Sequence, residues 1–276
     1  MLSRVSKLRL RISVFSVLPL AVVGLPKTAR DFLCVSSSCF NFLIATLIKF
    51  ISFATMLQII LIAQLFVLCN LNPMENNTLP KSEDVLQLYQ DCGLDKLLSF
   101  DVFRMAMTGL EKIDDVKNRE VITIVDFSKP STRERLFVID LENKQVLYKS
   151  LVAHGQNSGT NMASRFSNAP RSRKSCLGFF LTAETYNGKY GYSLKLDGLE
   201  PGINDNARPR GIVVHGADFV SYAIARDTGL LGRSFGCPAL PVNRAKEIID
   251  KISKGSCLFI YGNDPKYLRS SKILND

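Results

Sequence analysis

The pattern of apolar and polar residues changes character along the chain. From Phe50 to Cys69 it reads FISFATMLQIILIAQLFVLC, apolar on every face and without a charge. Such a run is long enough to span a bilayer and has the form of a signal-peptide core. A core helix of a globular domain would usually carry one polar face. Asn70 to Ser82 (NLNPMENNTLPKS) is polar, contains Pro73 and Pro80, and reads as a linker. Two helical segments follow. Glu83 to Tyr89 is short. Asp101 to Ile113 sets Phe103, Met107, Leu110 and Ile113 on one face, with Asp101 as its predicted N-cap.

From Val121 the period shortens. VITIVD, RLFVID, QVLYKSLVA, FFLTAE and GIVVHG are short runs rich in β-branched and aromatic residues, parted by Ser, Pro, Gly and Asn. They predict a mainly β (α+β) domain with sandwich or closed-sheet packing, behind a small helical segment. One amphipathic helix comes late, with Ala245, Ile248, Ile249 and Ile252 on one face, Asn243 as its cap and Gly255 as its stop. CLFIY at 257–261 reads as a last buried strand. The expected division is an export signal or membrane anchor at 1–69, a linker and helical preface at 70–114, the main domain at 115–264 and a C-terminal tail at 265–276. Met56 and Met74 offer alternative starts, and on that reading part of residues 1–55 is a mis-assigned extension.

Charge sharpens the first of these assignments. The formal net charge is +10. Residues 1–55 hold Arg4, Lys7, Arg9, Arg11, Lys27, Arg30 and Lys49 against Asp31, so more than half of the excess flanks the apolar run. A nucleic-acid-binding domain holds its charge on a folded face instead. The expectation is therefore an exported or inner-membrane-anchored protein, with residues 70–276 outside the cytoplasm and no nucleic-acid partner.

Of the seven cysteines, Cys34, Cys39 and Cys69 fall in the export region; Cys92, Cys176, Cys237 and Cys257 remain. No C-x-x-C pair and no metal-ligand spacing occurs, so no metal site is expected. Cys257 lies in an apolar strand, as a structural cysteine does. Cys237 lies in the Gly/Ser/Pro loop Gly232-Arg233-Ser234-Phe235-Gly236-Cys237-Pro238, and His215 ends the run Ile212-Val213-Val214 just before Gly216. A thiol becomes a strong nucleophile when deprotonated, and a neighbouring imidazole takes the proton. Cys237 is thus expected as an activated thiolate with His215 as base. The backbone N–H groups of Cys237 and of one or two residues before it are the expected oxyanion donors, with Gly236, Phe235, Ser234 and Gly216 as the oxyanion and supporting residues.

The residues quoted above resemble the L,D-transpeptidase catalytic-domain family over about residues 121–264. The shared signature is His215-Gly216 at a strand end, the loop Ser234-Phe235-Gly236-Cys237, then a helix and a strand. Four further phrases, IVDFSKPS, VAHGQNSG, GYSLKLDGLEPGINDNAR and HGADFVS, are similar to a murein L,D-transpeptidase subgroup, and the helical preface at 83–113 fits it too. The resemblance implies a β-sandwich or barrel-like catalytic domain in the bacterial envelope or periplasm. It implies that Cys237 forms a thioester with the third residue of a peptidoglycan stem peptide, releasing D-Ala. An amine of another stem then resolves it, joining third residue to third residue, with no metal or organic cofactor. Two alternatives stay open: an L,D-carboxypeptidase-type hydrolase of the same stem, and a non-catalytic peptidoglycan-binding protein.

Two positions depart from the family pattern. Phe235 stands where many members have His, and Ala239 stands where they have an Arg that orients substrate. Arg233, Arg208 and Arg210 are the candidates to replace that Arg, with solvated surface charge as the equal alternative. His154, before Gly155, either lines the cleft or simply hydrogen-bonds a loop. Tyr190, Tyr192 and Ser193 either contact substrate or pack a hairpin.

Overall fold

The computed structural model describes residues 82–275, with six further helical residues between Met56 and Gln64. The chain divides into two compact units, Met1–Asn76 and Asn77–Asp276. Among the described residues no helix is long and apolar enough to cross a membrane. The apolar run at 50–69 lies mostly outside the described residues.

The second unit is built on eight strands. They are β1 (Asn118–Asp126), β2 (Leu136–Asp140), β3 (Gln145–Ser150), β4 (Gly178–Gly188), β5 (Gly191–Gly198), β6 (Val213–Gly216), β7 (Ala239–Leu240) and β8 (Ser256–Tyr261). They form one mixed sheet in the order β3-β2-β1-β8-β4-β5-β6-β7. The middle of the sheet is covered on both faces, which is why Val121 to Asp126 and Ser256 to Ile260 are buried without alternation. Past β3 the chain runs on to Ala153, which bridges Ala239 of β7 at the opposite edge. That contact nearly closes the sheet into a barrel and leaves little free edge. The mainly β, α+β expectation holds.

Six helices decorate the sheet: α1 (Ser82–Asp91), α2 (Phe100–Lys112), α3 (Tyr222–Thr228), α4 (Val242–Ile252), α5 (Pro265–Ser270) and α6 (Lys272–Asn275). The backbone of α2 lies so close to β4 that a Cβ on Gly109 would fall 2.1 Å from the Phe179 ring. Phe179 in turn stacks on Phe259 of β8, with centroids 4.3 Å apart. Two cap assignments are corrected. Ser99, not Asp101, caps α2 by accepting the Val102 N–H, because Ser99 is the last extended residue and Asp101 is already helical. Pro241, not Asn243, precedes α4, without a side-chain cap bond. The strand β5 is not among the predicted runs, yet Leu194 and Leu196 alternate into the core.

Residues 265–275, set apart above as a tail, are tied to the sheet. Buried Glu200 accepts the Phe179 N–H at 2.8 Å, the Tyr267 hydroxyl at 3.3 Å and the Ser271 hydroxyl. Burial pushes its carboxyl above the ordinary value.

Candidate active site

Strand pairing brings the two chemical residues together. β6 runs parallel to β7 with His215 opposite Ala239, so Cys237 lies two residues upstream of the position facing the histidine. Both side chains line a cavity of about 280 Å³, together with Tyr190, Phe219, Arg233 and Phe235. A second cavity of about 470 Å³ shares Tyr190, His215 and Phe219 and continues past Asp218 and Tyr192. His215 therefore stands between two openings.

The imidazole is held on two sides. Tyr190 stacks on it, with centroids 4.5 Å apart and an interplanar angle of 21°. Its Nδ1 lies 2.8 Å from the carbonyl of Gly216. That carbonyl can only accept, so Nδ1 carries the proton and Nε2 keeps its lone pair. Burial pulls the His215 pKa below the ordinary value, against the Gly216 carbonyl. The ring is neutral and available as a base near neutral pH. A Cβ at Gly216 would be a tight fit, 3.1 Å from Ala245 Cβ and 3.2 Å from Val242 Cα.

The cysteine loop is braced by Ser234. Its N–H donates to the His154 carbonyl at 3.0 Å and its carbonyl accepts from Gln156 at 2.8 Å. Its hydroxyl donates to the Cys237 carbonyl at 2.7 Å and accepts the Gly236 N–H at 3.0 Å. Gly236 has φ of 129°, a backbone conformation that favours glycine. The expectation that the Gly236 N–H serves an oxyanion is corrected, since Ser234 already occupies it. The N–H groups of Phe235 and Cys237 have no backbone acceptor among the described residues.

The thiol itself differs from the expected thiolate. Cys237 is 6 % exposed, and its Sγ donates to the Gly211 carbonyl at 3.6 Å. Burial pushes its pKa up, opposed by the Val213 N–H and the Arg210 charge. At rest the pair is a neutral thiol and a neutral imidazole.

A family model of the L,D-transpeptidase catalytic domain matches residues 94–261. The chain belongs to the L,D-transpeptidase catalytic-domain family. No curated protein matches the chain. Solved structures similar to it include an L,D-transpeptidase from Mycobacterium smegmatis, at 15% identity and a TM-score of 0.33, covering 52% of this chain and 59% of that one. L,D-transpeptidase 1 of Mycobacterium tuberculosis is 16% identical with a TM-score of 0.29, over 52% of this chain and 62% of that one. The helical cell shape determining protein Pgp2 of Campylobacter jejuni is 16% identical with a TM-score of 0.36, over 56% of this chain and 54% of that one. The chain thus spans less than two thirds of each.

Within this L,D-transpeptidase domain the other candidate residues separate. Arg233 lines the cysteine cavity and donates to the Gly159 carbonyl at 3.1 Å. Arg208 does not line it; its guanidinium is engaged by Asp197 and Glu184. Its substrate-binding assignment is corrected on that ground. Tyr192 reaches only the second cavity, and its hydroxyl donates to Asp250 at 2.6 Å. Ser193 is buried and donates to the Gly191 carbonyl at 3.0 Å. Phe235 is 56 % exposed and walls the cavity mouth. Among the described residues no group of acidic, His or Cys side chains is arranged to hold a metal ion.

His154 is fully buried beneath the loop and does not line the cleft. The buried Arg135 donates to its Nδ1 at 2.8 Å, which leaves the proton on Nε2. Among the described residues that Nε2 has no well-formed hydrogen bond, although the backbone of Gly159 and Thr160 approaches the ring. Burial, reinforced by the Arg135 charge, pulls the His154 pKa down to about 4, from an ordinary 6.5. A histidine so depressed stabilises the fold fully above its unfolded pKa, and the contribution fades as pH falls. Denaturation of the full chain is expected to show a loss of about 2–3 kcal/mol between pH 6.5 and 4 beyond that of His154→Gln. Identical pH profiles for the two proteins would contradict this.

Proposed function

We propose that the protein is a peptidoglycan L,D-transpeptidase of the cell envelope, with Cys237 as nucleophile and His215 as general base. The carrying observation is that the β6–β7 register sets both residues on one cavity of a domain of this family. A peptidoglycan stem peptide enters along Phe235 and Phe219, and the Sγ–H of Cys237 turns away from the Gly211 carbonyl that accepts it at rest. That proton passes to His215 Nε2 as Sγ bonds to the carbonyl carbon of the third stem residue. The N–H groups of Cys237 and Phe235 donate to the oxyanion. Collapse breaks the C–N bond, and the imidazolium protonates the leaving D-Ala amine. An amine of a second stem attacks the thioester, loses its proton through Nε2 and restores the thiol. Neutral partners at rest keep the thiol protonated and unreactive until substrate displaces its bond to Gly211.

The distinguishing experiment is mass spectrometry of muropeptides after incubation with the protein. New dimers joined through third residues are expected. Stems shortened by one D-Ala without dimers would make the protein a hydrolase of the same bond, and unchanged muropeptides would make it a binder.

The apolar run and its basic flank support the export reading. A reporter active only outside the cytoplasm, fused after Asp276, is expected to work. Activity of a cytoplasm-only reporter at the same junction would contradict it.

A further inference from the structure

Beside the cysteine cavity lies a third hollow, of about 530 Å³, whose lining includes Arg171, Arg173, Asn206, Arg210 and Phe235. No acidic side chain lines it. Among the described residues neither Arg171 nor Arg173 enters a salt bridge, although other surface arginines do. Arg210 is held by neutral acceptors, the carbonyls of Ser167 and Lys174 at 2.7 Å and the Ser172 hydroxyl at 3.2 Å. Three cations thus face one hollow without a counter-ion. Burial of an anion there would satisfy charge that the protein leaves unmet.

The Arg171 and Arg173 side chains are both exposed, and it is the backbone carrying them that is held. Arg171 and Arg173 have φ of 57° and 53°, left-handed values that non-glycine residues rarely adopt. Such strain persists where the surroundings over-determine it and concentrates at ligand clamps. Here the surroundings are specific. The Arg173 carbonyl accepts the Asn157 N–H at 3.1 Å, and the Ser172 carbonyl accepts the Asn157 amide at 2.9 Å. The Arg173 guanidinium lies 4.8 Å over the ring of Phe235. Phe235 also walls the cavity of Cys237, so a single extended ligand can touch both.

We propose that this hollow is a carboxylate subsite, in which Arg171 and Arg173, with Arg210 behind them, receive a free carboxylate of the peptide attacked at Cys237. The assignment rests on the function proposed above. The planar guanidinium fork suits a carboxylate, and Phe235 orients Arg173 by stacking.

The test is calorimetric binding to the full chain carrying Cys237→Ala, which separates recognition from turnover. The probes are a tetrapeptide stem with free carboxylates and the same peptide amidated at them. The free-carboxylate stem is expected to bind about ten- to a hundred-fold tighter. Arg171→Ala with Arg173→Ala is expected to erase that difference. Arg173→Gly is expected to weaken binding while holding or raising the melting temperature, because glycine relieves the positive φ. A fall in melting temperature that parallels the loss of binding would overturn the proposal by making the arginine structural. Equal affinity for the two peptides, with dimers still formed by the unmodified enzyme, would overturn the subsite and leave the transpeptidase reading standing. Binding of neither peptide would overturn both. Competition by inorganic phosphate as strong as that of the stem would mean a general anion site and would overturn the assignment to substrate.

Discussion

Replacing Cys237 with serine is expected to leave the fold intact and to lower turnover by about a thousandfold or more. The substitution is close to isosteric and keeps a donor on the side of the Gly211 carbonyl that the thiol faces. It also preserves the bracing, because the Ser234 hydroxyl contacts only the backbone of Cys237 and Gly236. What changes is the ease of ionisation. A neutral imidazole whose pKa lies below the ordinary value is a weak base, so it can draw a proton from a thiol far better than from an alcohol. His215→Ala is expected to lose about a hundred- to ten-thousandfold through absence of the base. Steady-state cross-linking assays of the folded variants check both. Full activity in Cys237→Ser would show that another group attacks the stem.

Arg135→Ala is expected to destabilise the protein by about 3–5 kcal/mol. Arg135 is completely buried, and no carboxylate is hydrogen-bonded to it. It donates to the Val152 carbonyl from Nε at 3.0 Å and from a second nitrogen at 2.7 Å, to the Lys129 carbonyl at 2.8 Å and to His154. Its guanidinium also lies 4.9 Å over the Phe127 ring. Burial pulls its pKa down to about 9, so it remains a cation at neutral pH. Removing it strands these acceptors in the interior and opens a void. It also removes the charge that adds to burial in depressing His154, so the acid-induced loss of stability should shrink in the same variant. Denaturant titration at pH 7 and pH 5 reads both effects. A change below about 1 kcal/mol would mean that water readily takes over these bonds.

The parts of this site that were legible in the sequence are those written in contiguous residues. Cys237 stood out because its neighbours are Gly, Ser and Pro, and His215 because it ends an apolar run. Most strands of the sheet were legible for the same reason, whereas β5 and the two-residue β7 were not. The parts that were missed arise from contacts between distant segments. Arg135 and His154 meet across two neighbouring strand ends, and neither lies in a motif that announces a buried cation. The Ser234 hydroxyl takes the Gly236 N–H through a tight local turn that a run of residue types does not specify. Arg208 read as a candidate beside the His215 strand, but β4 and β5 supply Glu184 and Asp197 to hold it. Arg171 and Arg173 have an unremarkable sequence, and only their positive φ and the approach of Arg173 to Phe235 set them apart. A cap can be drawn from several nearby polar residues, and the chain direction at Ser99 decides between them.

The most direct test of Cys237 as the acylated nucleophile is to trap the acyl-enzyme on a tetrapeptide stem without acceptor amine and map the adduct by peptide mass spectrometry. The expected result is a mass gain equal to the donor minus its terminal D-Ala, carried by the peptide that contains Cys237 and absent in Cys237→Ser. An adduct on Cys92, Cys176 or Cys257, or dimers formed by the wild type with no acyl-cysteine at any stage, would contradict it.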